Sequence, residues 1–108
     1  MQEAWEQHAQ AAQGVAAQAF GRLLERAETR HGGQIARVAR FIASTYDGQL
    51  FPFDLFELRA VDIDISDDML ACLDALRWAK ADLHTLVPGG EERVQAVRAM
   101  WGLIPTQG

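Results

Sequence analysis

Apolar residues return every three or four positions along most of this chain, a period that predicts helices rather than strands. From Trp5 a stripe runs through Ala9, Ala12, Val15, Ala16, Ala19, Phe20, Leu23, Leu24 and Ala27. It predicts one long helix over residues 1–31, thin in apolar mass before Val15 and dense after it. Gln and Ala dominate up to Ala19 and both tolerate helix, whereas Gly14 and Gly21 each cost about 1 kcal/mol relative to Ala. Arg26, Arg30 and His31 fill the last turn, where cations suit the helix dipole. Gly32-Gly33 then ends the helix. A second helix is predicted over 34–46, with Ile35, Val38, Ala39, Ile42 and Tyr46 inward and Arg37 and Arg40 opposite. Asp47-Gly48 stops it.

The middle of the chain is less regular. Gln49–Phe53 is an apolar loop pinned by Pro52. Asp54 is placed to cap a short helix over Leu55–Ala60, offering Leu55, Phe56 and Leu58 to the core. Val61-Asp62-Ile63-Asp64-Ile65 alternates like a strand, but five residues without a partner strand make no sheet. The expectation is an extended connector with its three apolar residues tucked inward. Ser66 then caps a third helix over 67–86, with Asp67 and Asp68 in its first turn. Its predicted stripe is Met69, Leu70, Cys72, Leu73, Leu76, Ala79, Leu83 and Leu86. Pro88-Gly89-Gly90 breaks the chain, and Glu91 and Glu92 open a last helix over 91–102 with Val94, Val97, Met100 and Trp101 inward. The sum is an all-α fold: a compact, irregular bundle of four main helices plus one short helix, in one domain over 1–108. Residues 1–14 are expected to be a helical arm that frays or binds a partner.

Bulk properties narrow the function classes. The chain has 108 residues, the size of one domain, and is 49% hydrophobic and 23% charged, an ordinary globular balance. Its formal net charge of −5 runs against nucleic-acid binding, which draws most of its affinity from cations on phosphates. A single cysteine, Cys72, excludes an internal disulfide and a four-cysteine zinc site. The N-terminus lacks the basic start and apolar run of a signal peptide, and no stretch approaches the ~20 apolar residues of a membrane span. A cytoplasmic location without membrane association is the expectation.

The candidate chemistry is thin. Asp62-x-Asp64-x-Ser66 begins like a calcium loop, which then needs Gly at its sixth position and Glu at its twelfth. Those positions hold Asp67 and Leu73. His8, His31 and His84 are far apart and none has a second ligand at i+3 or i+4. Cys72 lies on an apolar stripe, where a thiol packs rather than reacts. Ser44, Thr45 and Ser66 lack the glycine-flanked elbow of a serine nucleophile. Gly32-Gly33 and Gly89-Gly90 lack the Lys-Ser/Thr of a phosphate loop. No metal, cofactor or catalytic residue is assigned, and an enzyme is not expected.

Two surfaces remain. Residues 22–40 hold five arginines against Glu25 and Glu28, while residues 47–74 hold eight acids against Arg59. Arg30, Arg37 and Arg40 form a basic face that reads either as a nucleic-acid surface or as a solvated face pairing with the acidic middle of the domain. The Gly32-Gly33 link and the polar side of the second helix match a helix-turn-helix weakly. The other surface is a protein contact built from Trp5, the thin alanine face of the first helix and the acidic edge Asp62, Asp64 and Asp67. The leading expectation is a non-enzymatic interaction or regulatory module that binds a protein partner or a second copy. A nucleic-acid-associated regulator is the alternative.

Phe53-Asp54-Leu55, Leu58, Val61-Asp62 and Asp67-Asp68-Met69-Leu70 stand in a pattern that resembles an uncharacterised family of small proteobacterial proteins. Arg37-Val38-Ala39, Phe41 and Trp101 extend the likeness over residues 20–104. It departs at the end, where the family carries Trp-Arg-Pro and this chain has Trp101-Gly102-Leu103-Ile104-Pro105. The resemblance implies a shared fold and a domain of unknown function. It carries no catalytic residue across.

Overall fold

The long amphipathic stripe folds as predicted into the axis on which everything else is hung. A computed structural model describes residues 2–78 and 81–106. Helix α1 spans Gln2–Thr29, 28 residues or about 42 Å at 1.5 Å each, which matches the 43 Å long dimension of the domain. Helices α2 (Gly33–Tyr46), α3 (Ile63–Leu76) and α4 (Gly90–Met100) pack around it, with 3₁₀ turns at Leu55–Ala60 and Leu83–Leu86. No strand occurs among the described residues. The contact of α1 with α3 is the most extensive, and that with α2 comes next. Phe20, Leu23 and Leu24 of α1 are fully buried, together with Ile42, Ile65, Met69, Cys72, Val94 and Val97. The alanine face of α1 is inside the domain: Ala9, Ala12, Ala16 and Ala19 are all buried. Val15, placed on the same stripe by its spacing, instead points to solvent.

Helix α3 departs most from expectation. It starts at Ile63 and not at Asp67. The residue at its N-cap is Asp62, whose carbonyl accepts from the amides of Ile65 and Ser66 at 3.0 Å. Gln34 of α2 grips the same residue twice, accepting from the Asp62 amide and donating to its carboxylate at 3.3 Å. Ser66 caps nothing; its hydroxyl donates back to the carbonyl of Ile63. Val61, in extended backbone just before the cap, packs against the core, and within the helix Ile65 faces inward while Ile63, two residues earlier, is thrown outward at 78% exposure.

The same helix ends at Leu76 and not at 86. A continuous helix would carry Leu83 about 10 Å beyond Leu76, away from the core. The chain turns instead at Arg77-Trp78, where the Trp78 amide donates to Ala75, and the 3₁₀ turn Leu83–Leu86 brings Leu83 and Val87 back into the core. Ala79, part of the predicted stripe, lies outside the described residues. Gly89 holds a left-handed φ of +64° that a side chain rarely adopts, and so opens α4. Trp101 closes the domain by donating its indole N–H to the carbonyl of Ala27 at 2.9 Å. Arg93 adds a two-pronged pair to Glu28 at 2.9 and 2.8 Å.

Candidate interaction surface

Helices α1 and α3 run antiparallel: Arg26 meets Asp64, Arg22 meets Asp68, and Trp5 meets Trp78. This direction separates residues that the sequence grouped together. Trp5 lies at the end of α3 where Trp78 leaves it, with ring centroids 5.6 Å apart and edge-on. His8 stacks on Trp78 at 5.9 Å, and the guanidinium of Arg77 lies 4.5 Å from the centre of that ring. The acids stand at the opposite end, about 20 Å away along α3. Trp5 and the acidic edge therefore do not share one surface.

The acids themselves divide. Asp62 is taken up by Gln34. Asp64 accepts from Arg26 at 2.9 Å and from the Ile65 amide at 3.0 Å. Asp68 is buried and receives both Nε and Nη2 of Arg22, at 3.1 and 2.8 Å. Asp67 points outward, and among the described residues no cation reaches it.

The basic face is internally answered in part. Glu57 accepts from Arg40 at 2.5 and 3.4 Å, and Arg37 Nε stands 3.6 Å from the same carboxylate. Arg30 lines a shallow cleft of about 200 Å³ on α1 with Arg22, Glu25, Arg26 and Thr29.

Chemistry is scarce elsewhere. Burial, and then the nearby charge of Asp68, push the Cys72 thiol up to about 12, so it is a packed thiol and no nucleophile at neutral pH. Tyr46 donates to Glu91 at 2.7 Å, and that bond holds its hydroxyl above the ordinary value. His84 Nε2 stands 3.5 Å from the other oxygen of Glu91, tying α2, the second 3₁₀ turn and α4 together. Among the described residues no three His, Cys, Asp or Glu side chains are placed to hold a metal ion.

What the sequence reading assigned to the core and the fold turns outward is a set of large apolar side chains. Leu55 and Phe56 of the first 3₁₀ turn are 66% and 70% exposed, and Leu70 of α3 is 53% exposed. With Ile63 they make four exposed apolar residues within the stretch 53–70. Met100, expected inward on α4, is exposed as well, and so is Ile104 beyond that helix. The signal that turns Ile63 and Leu70 outward together is their seven-residue, two-turn spacing, which the alternation of 61–65 masks.

A family model described as a family of unknown function (DUF7673) matches residues 17–102. The chain belongs to this family. The match takes in the core of α1, all of α2 and α3, the whole 53–70 stretch and α4, and starts beyond Trp5 and His8. No curated protein and no solved structure matches the chain. Within the described residues of this DUF7673 protein, no helix is long and apolar enough to cross a membrane.

Proposed function

We propose that this DUF7673 protein is a non-enzymatic module that binds the cationic, apolar segment of a partner protein. The observation that carries this is the exposure of Leu55, Phe56, Ile63 and Leu70 in a domain that fills its core without them. Burying one such side chain is worth ~1.5–3 kcal/mol, so a fold that leaves four outside holds substantial unused contact energy. Charge selects the partner. Asp67 lies between Ile63 and Leu70 on α3, among the described residues no cation pairs with it, and the chain carries a net −5. The aromatic Trp5 is a lesser candidate contact, because it already packs on Trp78. The alternative nucleic-acid surface draws less support, because phosphate would have to displace Glu57 from Arg37 and Arg40.

The test is affinity capture of the tagged full chain from its native lysate, with and without nuclease. Wild type is compared with Leu55→Asp/Phe56→Asp, Leu70→Glu and the control Val15→Glu on α1. The captured protein is then rebound from purified components. One stoichiometric partner that survives nuclease, is kept by Val15→Glu and is lost by the others is the expected result. Equal capture by every variant, or capture that vanishes with nuclease, overturns the proposal.

A further inference from the structure

We infer that the partner segment is an α-helix lying along the outward face of α3, its apolar side chains flanked by lysine or arginine. This inference rests on the interaction reading above and adds the form of the ligand. Ile63, Ser66, Leu70 and Leu73 recur at i, i+3, i+7 and i+10, which is the a/d seam of two heptads. Ile63 and Leu70 at the a positions are more than half exposed; Leu73 at d is half-buried against the core. The opposite stripe of the same helix, Ile65, Asp68, Met69, Cys72 and Ala75, is already spent on the interior. An ordinary outer face is mostly charged and polar. This one alternates apolar residues with carboxylates.

The e positions beside the seam are Asp67 and Asp74. Asp74 is held by Arg77 at 2.6 Å, but Asp67 faces solvent and among the described residues no cation pairs with it. In a helix pair the e residues meet the flanking g or e residues of the partner. A second copy of this chain is disfavoured by that rule. Antiparallel pairing sets Asp67 and Asp74 against the same acidic flank, and parallel pairing brings Asp62, the N-cap just before the first a position, toward Asp67 at e. A partner helix with cations at those positions meets opposite charge in either direction.

The probe is a labelled peptide of about three heptads with Ile at a, Leu at d and Lys at e and g. Its binding to the full chain is followed by fluorescence anisotropy. A twin with Glu at e and g and a Lys peptide with a central proline, which breaks the helix, serve as comparisons. The Lys peptide is expected to bind at least ~10-fold tighter than either, each tenfold being about 1.4 kcal/mol. Leu70→Glu and Ile63→Glu should weaken it by a similar factor, Asp67→Lys should shift preference toward the Glu twin, and Val15→Glu should change nothing. Circular dichroism checks that each variant keeps its helix content. Equal binding of the proline peptide, or binding lost by Phe56→Glu but kept by Leu70→Glu, overturns the helical seam while leaving the interaction reading standing. Failure of all the basic peptides together with an empty lysate capture overturns both.

Discussion

Replacing glycine by alanine at two places in this fold should move stability in opposite directions. Gly90 is buried at the first position of α4. A Cβ there would stand 1.8 Å from the carbonyl oxygen of His84, 2.7 Å from its carbon and 3.0 Å from a methyl of Val87. Ordinary contact needs ~3.5 Å, so the 3₁₀ turn Leu83–Leu86 would have to retreat by well over 1 Å. It is tethered against doing so. The Gly90 amide donates to Val87 at 3.1 Å, and Leu83 is locked in the core. Overpacking of this kind costs ~1–3 kcal/mol and occasionally more, and a backbone obstacle places Gly90→Ala at about 3 kcal/mol. Gly14 sits mid-helix in α1 with nothing within 4 Å of the added carbon. There Ala simply lowers the entropy lost on folding, a gain of about 0.5–1 kcal/mol. At ~4–8 °C per kcal/mol for a domain of this class, Gly90→Ala should melt about 15 °C lower and Gly14→Ala about 4 °C higher. Urea titration should show shifted midpoints with unchanged slopes. A Gly90→Ala protein within ~0.5 kcal/mol of wild type would show that the turn does not pack on α4, and would refute the reasoning.

Three further outcomes are expected. The Cys72 thiol, raised from 9.0 to about 12, keeps its proton in the folded chain after the unfolded chain has lost it. Folding stability should therefore be unaffected by this group below pH 9 and fall by about 1.4 kcal/mol per pH unit above it, up to pH 12. The difference between the urea curves of wild type and Cys72→Ala isolates that slope, and a flat difference would refute it. Asp68→Ala should cost about 1–2 kcal/mol, less than a fully enclosed pair, because the Arg22 side chain is 53% exposed and relaxes into water. A cycle with Arg22→Ala should show coupling that weakens with salt. Trp101→Phe removes the bond to Ala27 and should lower stability by about 1 kcal/mol, read by thermal melting; no change would mean the bond adds nothing.

Where one element carries its own period and its own stop signal, sequence and structure agree. The stripe from Ala16 to Ala27, the Gly32-Gly33 link and the Val94–Val97 face all appear at the predicted places. Disagreement concentrates where a distant residue decides. Asp62 becomes an N-cap because Gln34, in a different helix, holds its amide and its carboxylate. No window around residue 62 contains that information. The end of α3 is similar: Leu76 is followed by neither glycine nor proline, and the turn there follows from Trp78 finding Trp5 and His8 on α1. Leu55 and Phe56 looked like core residues because apolar residues usually are. A domain with Phe20, Phe41, Leu23 and Leu24 already buried has no room left for them.

The polar contacts at the start of α3 also explain why the proposed seam has its length. A helix begun at Asp67, with Ile63 tucked inward, would present Leu70 alone at an a position. One exposed leucine is an everyday feature of protein surfaces. The extra turn Ile63–Ser66 exists because Gln34 clamps Asp62 and Arg26 holds Asp64, and that turn adds the second a-position residue. Asp62, Asp64 and Asp68 are thus used by the fold to aim the helix, and Asp67 is the acid left for a partner. Gln34→Ala tests this division: it removes no residue from the surface, yet should fray the first turn of α3 and weaken the Lys peptide, whereas loss of Arg77 at the far end should not.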